Sequence, residues 1–163
     1  MAQPAPQELM PSLLDRLIDP EAGGTSWRRG YGIEQMMDVV RRDLEDLLNT
    51  RQSHDPEKVA AFEEVSKSIV AYGLPDLQSL NAVTQSQRDD IGRTIEGLIA
   101  RFEPRLKDIH ASLVSRASET DKDRRVRFRI DAALCLDPAP EVAFDTVLEL
   151  TSGHYSVTPS GAG

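Results

Sequence analysis

The chain has 163 residues, with 27 acidic and 19 basic side chains and therefore a formal net charge of −8. This length suits one domain with a sizeable core, and the acidic balance disfavours binding to nucleic acid or anionic lipid, since both require clustered positive charge. No apolar run approaches the roughly 20 residues that cross a bilayer, and the first residues do not have the pattern of a secretory signal. A single cysteine, Cys135, excludes an intrachain disulfide. Composition therefore predicts a soluble, cytoplasmic protein without membrane insertion.

The first 32 residues differ in composition from the rest and are predicted to form a flexible N-terminal segment. Residues 1–11 contain three prolines and few large apolar groups, so they are not expected to fold alone. Residues 12–19 carry leucine and isoleucine at helical spacing and predict a short amphipathic helix, which the following proline ends. Residues 21–32 contain four glycines and are interpreted as a connector. A helix on such a tether is typical of a docking peptide, and the alternative is a helix that folds back on its own domain.

Residues 33–157 are predicted to form the folded domain, and three amphipathic helices come first. Apolar residues recur at three- and four-residue steps, which is the spacing of one buried helix face. Asp55 and Pro56 supply an N-cap and a first-turn proline, Gly73 and Pro75 break the pattern, and a capping box begins at Thr84. The predicted helices span residues 33 to about 50–52, 56 to about 71, and 84–102.

After Pro104 the apolar period changes from 3.6 to 2, which predicts β-strands. Short links between alternating strands indicate an antiparallel meander with one face on a core and one face in water. Helices followed by strands imply an α+β fold, in which the helical stripes cover the apolar face of a three-stranded sheet. Residues 158–163 are predicted to be a disordered tail. The predicted strands cover residues 109–114, 126–137 and 144–150.

The sequence contains no spacing that is typical of a metal, cofactor or nucleophile site. The three histidines stand far apart, and no cysteine or histidine pair has the spacing of a zinc or iron site. Glycine-rich phosphate loops and a GxSxG motif are absent. Cys135 lies within a predicted strand, which favours a structural thiol over a reactive one. We therefore expect no metal, no cofactor and no catalytic residue.

Glu103 has the most distinctive position among the acidic residues, because it ends a predicted helix beside Pro104 and Arg105. A glycosidase needs a carboxyl group with a raised pKa, whereas a neighbouring arginine lowers the pKa of a carboxyl group. A shift in this direction is the wrong one for a general acid. We interpret the acidic residues as a solvated surface.

The only basic cluster in the sequence lies at the start of the second predicted strand and consists of Arg124, Arg125, Arg127 and Arg129. Alternation places Arg125, Arg127 and Arg129 on one face of that strand. Acidic residues surround them, and Asp145 and Glu149 lie on the neighbouring strand. Cross-strand ion pairs are thus a simpler interpretation than phosphate binding.

Four motifs together resemble those of the TssE family. TssE proteins are baseplate subunits of the bacterial type VI secretion system, and they belong to the wider phage-tail baseplate wedge (lysozyme-like) family. The four motifs occur in order and at plausible spacing between about residues 13 and 155, and the strands around Phe144-Asp145-Thr146 add to the resemblance. The motifs are Leu13-Leu14-Asp15-Arg16-Leu17, Arg42 to Arg51, Tyr72 to Leu77, and Phe102-Glu103-Pro104-Arg105-Leu106.

The resemblance implies a structural protein of a contractile injection machine rather than an enzyme. Its expected partners are the wedge proteins TssF, TssG and TssK and the sheath proteins TssB and TssC, at the cytoplasmic, membrane-proximal baseplate. The resemblance further implies that the subunit bridges the wedge and the first ring of the sheath and helps to start sheath assembly. The alternative function is that of a peptidoglycan-cleaving muramidase, which is the activity that the family description 'lysozyme-like' refers to.

The resemblance also implies which residues bind partners. The Glu-Pro-Arg motif, Glu103, Pro104 and Arg105, is associated in the family with contact to the wedge core. The planar guanidinium of Arg105 is suited to bidentate pairing with a carboxylate of a partner. An internal ion pair at the helix-to-sheet corner is an equally open interpretation of Glu103 and Arg105. A sheet edge that accepts strands from the sheath is a further hypothesis. The remaining predicted partner-binding residues are Leu13, Leu14, Asp15, Arg16 and Leu17.

Overall fold

The computed structural model describes residue 17 and residues 32–75, 85–114, 125–149 and 152–160. The described part is α+β, as predicted: helical segments come first and an antiparallel sheet follows. Helix α1 spans Ile33–Asn49, α2 Pro56–Ala60, α3 Glu63–Ser66 and α4 Gln85–Phe102, with a 3₁₀ turn at Ile69–Ala71 between α3 and α4. The strands are β1 Leu106–Leu113, β2 Arg125–Leu134, β3 Glu141–Glu149 and β4 His154–Pro159.

The long helices α1 and α4 form where the sequence predicts them, because each has an apolar stripe that the sheet buries. Helix α1 packs against β4 and α4 packs against β1. The Thr50 N–H closes α1 by donating to the carbonyl of Asp46 at 3.0 Å. The capping residue predicted for α4, Thr84, lies outside the described residues. The buried side chains of the two helices are Met36, Val39, Val40, Leu44, Leu47, Leu48, Ile91, Ile95, Leu98 and Ile99.

The prediction of one continuous helix from residue 56 to about residue 71 is wrong, because the segment forms α2, α3 and the 3₁₀ turn instead. The backbone is extended at Phe62 and again at Ser68, which breaks the helix twice. The predicted apolar face of this helix includes Val59, Phe62 and Ile69, but Val59 is buried, whereas Phe62 and Ile69 are exposed. A short helix is marginal without tertiary packing, so the periodicity alone does not hold this segment in one helix.

The sheet has four strands in the order β1-β2-β3-β4, one more than predicted. Strand β4 follows a turn in which the Gly153 N–H donates to the carbonyl of Glu149 at 2.8 Å. Its apolar residues are only Tyr155 and Val157, both buried, so its signal in the sequence is weak. Because β4 ends at Pro159, two residues that we assigned to the tail belong to the sheet.

Strand β1 begins at Leu106, three residues before the predicted start, and it contains an irregularity. The register with β2 shifts between Lys107 and His110, and Asp108 has a φ of 53°. This β-bulge changes which face the following residues occupy, so that both Leu106 and Ala111 are buried despite their odd spacing.

Strand β2 ends at Leu134, and Cys135 therefore lies beyond it and is exposed. The prediction that Cys135 lies within a strand is wrong, because the chain bends from Cys135 onwards, although the Cys135 N–H still donates to the carbonyl of Arg105 at 2.8 Å.

The core lies between the inner face of the sheet and the two long helices. Phe128 and Ile130 of β2 and Phe144 of β3 are fully buried at its centre. Among the described residues, no helix is long and apolar enough to cross a membrane.

Candidate functional site

The Glu-Pro-Arg motif forms the corner between α4 and β1, and its two charged residues pair with each other. The Arg105 Nε donates to Glu103 Oε1 at 2.5 Å, and Arg105 Nη2 contacts Glu103 Oε2. The Arg105 backbone N–H also donates to Glu103 Oε1, at 3.2 Å. The Glu103 side chain is only 5% exposed and that of Arg105 is 25% exposed. The bidentate pairing that the sequence allows is therefore internal.

A carboxylate from α1 completes this charged cluster. Arg105 Nη2 donates to Asp43 Oδ2 at 2.6 Å, and the other oxygen of Asp43 accepts from Arg42 at 3.0 Å. Burial of the Arg105 guanidinium would lower its pKa, but its hydrogen bonds and the charges of Glu103 and Asp43 outweigh burial and raise the pKa. Arg105 thus ties the α4–β1 corner to the middle of α1, and we name Asp43, Glu103 and Arg105 the corner cluster.

The Tyr72-Gly73-Leu74 part of a second motif packs beside the corner cluster. The Tyr72 ring meets Phe102 edge-on, with ring centroids 5.4 Å apart. Burial raises the pKa of Tyr72, and the carboxylates of Asp46, Asp43 and Glu103 raise it further.

Gly73 lies where the same motif meets the end of α1. The Leu74 N–H donates to the Thr50 carbonyl at 2.8 Å, and the Gln52 N–H donates to the Leu74 carbonyl at 2.8 Å. Gly73 has a φ of 99°, and a Cβ at this position would lie 2.5 Å from the Thr50 carbonyl oxygen. Only glycine fits this backbone without strain.

The predicted partner-binding residues differ in what they expose. Pro104 is exposed, Arg105 is partly exposed and Glu103 is buried. At the other predicted contact, Leu17 is helical and 74% exposed, and Leu13, Leu14, Asp15 and Arg16 lie outside the described residues. Pro104 and the accessible part of Arg105 are therefore the surfaces of the motif that a partner can reach.

The edge of β1 is partly occupied by α4. The Val114 N–H donates to Arg127 of β2 at 2.9 Å, so Ala111 and Leu113 direct their backbone groups away from β2. Glu96 of α4 accepts from the Ala111 N–H at 2.7 Å. Among the described residues, no side chain forms a hydrogen bond of this kind with the outward N–H or carbonyl of Leu113.

The edge of β4 is occupied by the end of α1. The Asn49 carboxamide accepts from the Tyr155 N–H at 2.9 Å and donates to the Tyr155 carbonyl at 2.8 Å. The Ser160 N–H donates to Ala143 of β3 at 2.8 Å, so Pro159 faces outward, where it offers no N–H. Sequence reasoning missed this protection, because nothing local links residues 106 positions apart.

The arginines of β2 lie opposite the predicted acidic residues. The register pairs Arg125 with Glu149 and Arg129 with Asp145. Arg129 also donates to Asp131 on its own strand at 2.9 Å, and this hydrogen bond and the Asp131 charge raise the pKa of Arg129. The outer face of the sheet is consequently a mixed-charge surface rather than a basic one.

The corner cluster is suited to holding two helices and a strand together, and it does not resemble a catalytic acid. A general acid must present a proton to a substrate, whereas both oxygens of Glu103 contact the Arg105 guanidinium. Within residues 32–75, 85–114, 125–149 and 152–160, no group of three or more histidine, cysteine, aspartate and glutamate side chains is arranged to hold a metal ion.

Comparisons with known proteins identify a relationship over most of the folded part. The sequence model of the family described as baseplate wedge protein gp25 matches residues 34–139, which include the corner cluster. No curated protein matches the chain. A chain in a solved structure of the baseplate complex from the type VI secretion system is similar at 15% identity and a TM-score of 0.47, over 70% of this chain and 94% of that chain.

Proposed function

The chain belongs to the family of the baseplate wedge protein gp25, and from this premise we propose that it is a non-catalytic structural subunit of a type VI secretion baseplate, as TssE proteins are. The family match over residues 34–139 carries the proposal. The four motifs that resemble TssE support the assignment to a secretion system rather than to a phage tail. The subunit acts in the cytoplasm, at the membrane-proximal baseplate.

The wedge proteins TssF, TssG and TssK are the proposed partners of the Glu-Pro-Arg corner and the N-terminal segment. Pro104 is exposed, and one N–H of Arg105 Nη1 remains beyond the contacts of the guanidinium with Glu103, Asp43 and the Met36 sulfur. A carboxylate of a wedge protein fits this remaining donor. The contact is then single rather than bidentate.

The sheath proteins TssB and TssC are the proposed partners of the sheet, through addition of a strand to the edge of β1. The outward backbone groups of Leu113 favour this end of β1, since Glu96 already occupies the Ala111 N–H. Asn49 and Pro159 disfavour the edge of β4. A strand that pairs at Leu113 would bridge the baseplate to the first sheath ring and so help to start its assembly.

Complementation of a strain that lacks the subunit tests the role. With a fluorescent sheath protein in that strain, the wild-type gene should restore sheath structures, and the tagged subunit should co-purify with TssF, TssG and TssK. Leu113→Pro removes an outward N–H without removing a β1–β2 hydrogen bond, and it should abolish sheath formation. Leu113→Ala trims the same side chain, keeps the N–H and should still form sheaths. Normal sheaths with Leu113→Pro would refute strand addition at this edge.

A turbidity assay on purified cell wall tests the alternative function, a muramidase. We expect no clearing by the wild-type protein. Clearing that is lost in Glu103→Gln would overturn the structural role.

A further inference from the structure

The segment of residues 56–71 exposes large apolar side chains that its sequence pattern places on one helix face. Phe62 is 65% exposed and Ile69 is 83% exposed, and Val70 beside it is also exposed. Soluble proteins rarely expose clustered large apolar groups unless the surface binds something. We name Phe62, Ile69 and Val70 the apolar stripe.

In the part of the chain that the structure describes, the fully buried apolar side chains of this segment lie near its two ends. Val59 is buried near the beginning and Ala71 at the end. Between them, α2, α3 and the 3₁₀ turn contact one another. The middle of the segment therefore adds no fully buried apolar side chain to the core.

The break between α3 and the 3₁₀ turn depends on one side chain. Ser68 Oγ accepts from the Val70 N–H at 3.3 Å and donates to the Val65 carbonyl at 2.7 Å. Serine competes in this way with the helical hydrogen-bond pattern. In a continuous helix, Phe62 and Ile69 would share one face, so covering that face would favour the helix that the sequence predicts.

The charge of the segment indicates what kind of surface covers it. Residues 55–71 carry four acidic and two basic side chains. Lys67 lies 2.5 Å from Glu63 and 4.0 Å from Glu64, and Lys58 lies 3.9 Å from Asp55. All four acidic residues are exposed. The predicted N-terminal helix, residues 12–19, has two acidic residues and one basic residue, so it is not complementary in charge to this segment.

We propose that residues 56–71 dock into an apolar groove with a basic rim on a wedge protein, and that the segment becomes one continuous amphipathic helix when it binds. The proposal rests on the proposed baseplate function and assigns the wedge contact a second surface, beyond the Glu-Pro-Arg corner. The apolar stripe fills the groove, and the acidic residues pair with its rim.

Binding of the full-length protein to a purified TssF–TssG complex and to TssK tests the proposal. Phe62→Ser with Ile69→Ser should leave the melting temperature unchanged, because both side chains are exposed, and should weaken binding about a hundredfold. Ile33→Ser is the matched control, since Ile33 is 52% exposed on α1 and lies outside the stripe. Ser68→Ala removes the side chain that stabilises the break and should tighten binding severalfold.

Hydrogen exchange separates the possible outcomes. In the wild-type complex the amides of residues 56–71 should become protected as one block, including those of Phe62 and Ser68. If the double variant binds as the wild-type protein does, and this segment gains no protection in the complex, the inference is wrong. The proposed function would then still stand, because binding to the wedge proteins is retained. If the wild-type protein binds none of the wedge proteins, both the inference and the proposed wedge role fail. Self-association through the stripe, lost in the double variant, would overturn the choice of partner.

Discussion

Replacing Arg105 with alanine should destabilise the fold far more than the loss of a surface charge does. The substitution leaves Glu103, whose side chain is 5% exposed, without its guanidinium partner. It also removes the hydrogen bond from Arg105 to Asp43, which links the α4–β1 corner to α1.

The size of the effect follows from the burial of each group. Removing one partner of a buried ion pair costs about 3–5 kcal/mol, whereas exposed pairs contribute about 0–1 kcal/mol. Arg105 is 25% exposed, and its backbone N–H continues to donate to Glu103, so we place the loss at about 2–4 kcal/mol. For a chain of this size the melting temperature should fall by about 5–15 °C.

Thermal unfolding followed by circular dichroism measures this loss, and two variants serve as controls. Arg93→Ala removes a partner from the exposed pair with Asp90 and should change stability by less than about 0.5 kcal/mol. Adding Glu103→Gln to Arg105→Ala should recover part of the loss, because no unpaired charge then stays buried. A fall of less than about 2 °C for Arg105→Ala would refute the internal role and favour a contact made only with a partner.

Three further predictions test other parts of the structure. Gly73→Ala should lower the free energy of unfolding by at least about 2 kcal/mol, because its Cβ would meet the Thr50 carbonyl at positive φ. Gly97 lies in open space on α4, so Gly97→Ala should raise the free energy of unfolding by about 0.5 kcal/mol or more. Urea unfolding compares the two variants. Burial raises the pKa of Tyr155 from 10.0 to about 12, so the unfolded chain ionises first and stability should fall as pH rises from 10 towards 12. Tyr155→Phe should make this fall smaller without loss of stability at pH 8, and the contribution of Tyr72, whose pKa is also raised, should remain. Deleting residues 1–20 should weaken wedge pull-down at unchanged melting temperature if this segment docks on a partner, and should lower the melting temperature if it folds back.

Elements with a long buried face were predictable from the sequence, whereas the short strand β4 and the uncovered residues 56–71 were not. The apolar stripes of α1 and α4 are long and are covered by the sheet, so local periodicity and tertiary packing agree. Residues 56–71 have the same periodicity, yet Phe62 and Ile69 stay exposed and the helix breaks. The bulge at Asp108 was beyond prediction, because alternation cannot show where a strand gains a residue.

The candidate site was predictable only where its members are close in sequence. Glu103 and Arg105 flank a proline that ends a helix, so their pairing could be anticipated from spacing alone. Asp43 joins them from 62 residues away, and Asn49 reaches Tyr155 across 106 residues. Such contacts depend on how the helices lie on the sheet, which no local pattern encodes.

The residues of the recognisable motifs are largely occupied in holding the fold together, and this shifts the search for partner contacts to other residues. Glu103, Gly73 and Asn49 each fasten one element to another and have little surface left to offer. Phe62 and Ile69 are large and apolar, and most of their surface is exposed. A side chain that the fold does not use and that is unfavourable in water is better explained by a partner than by the fold.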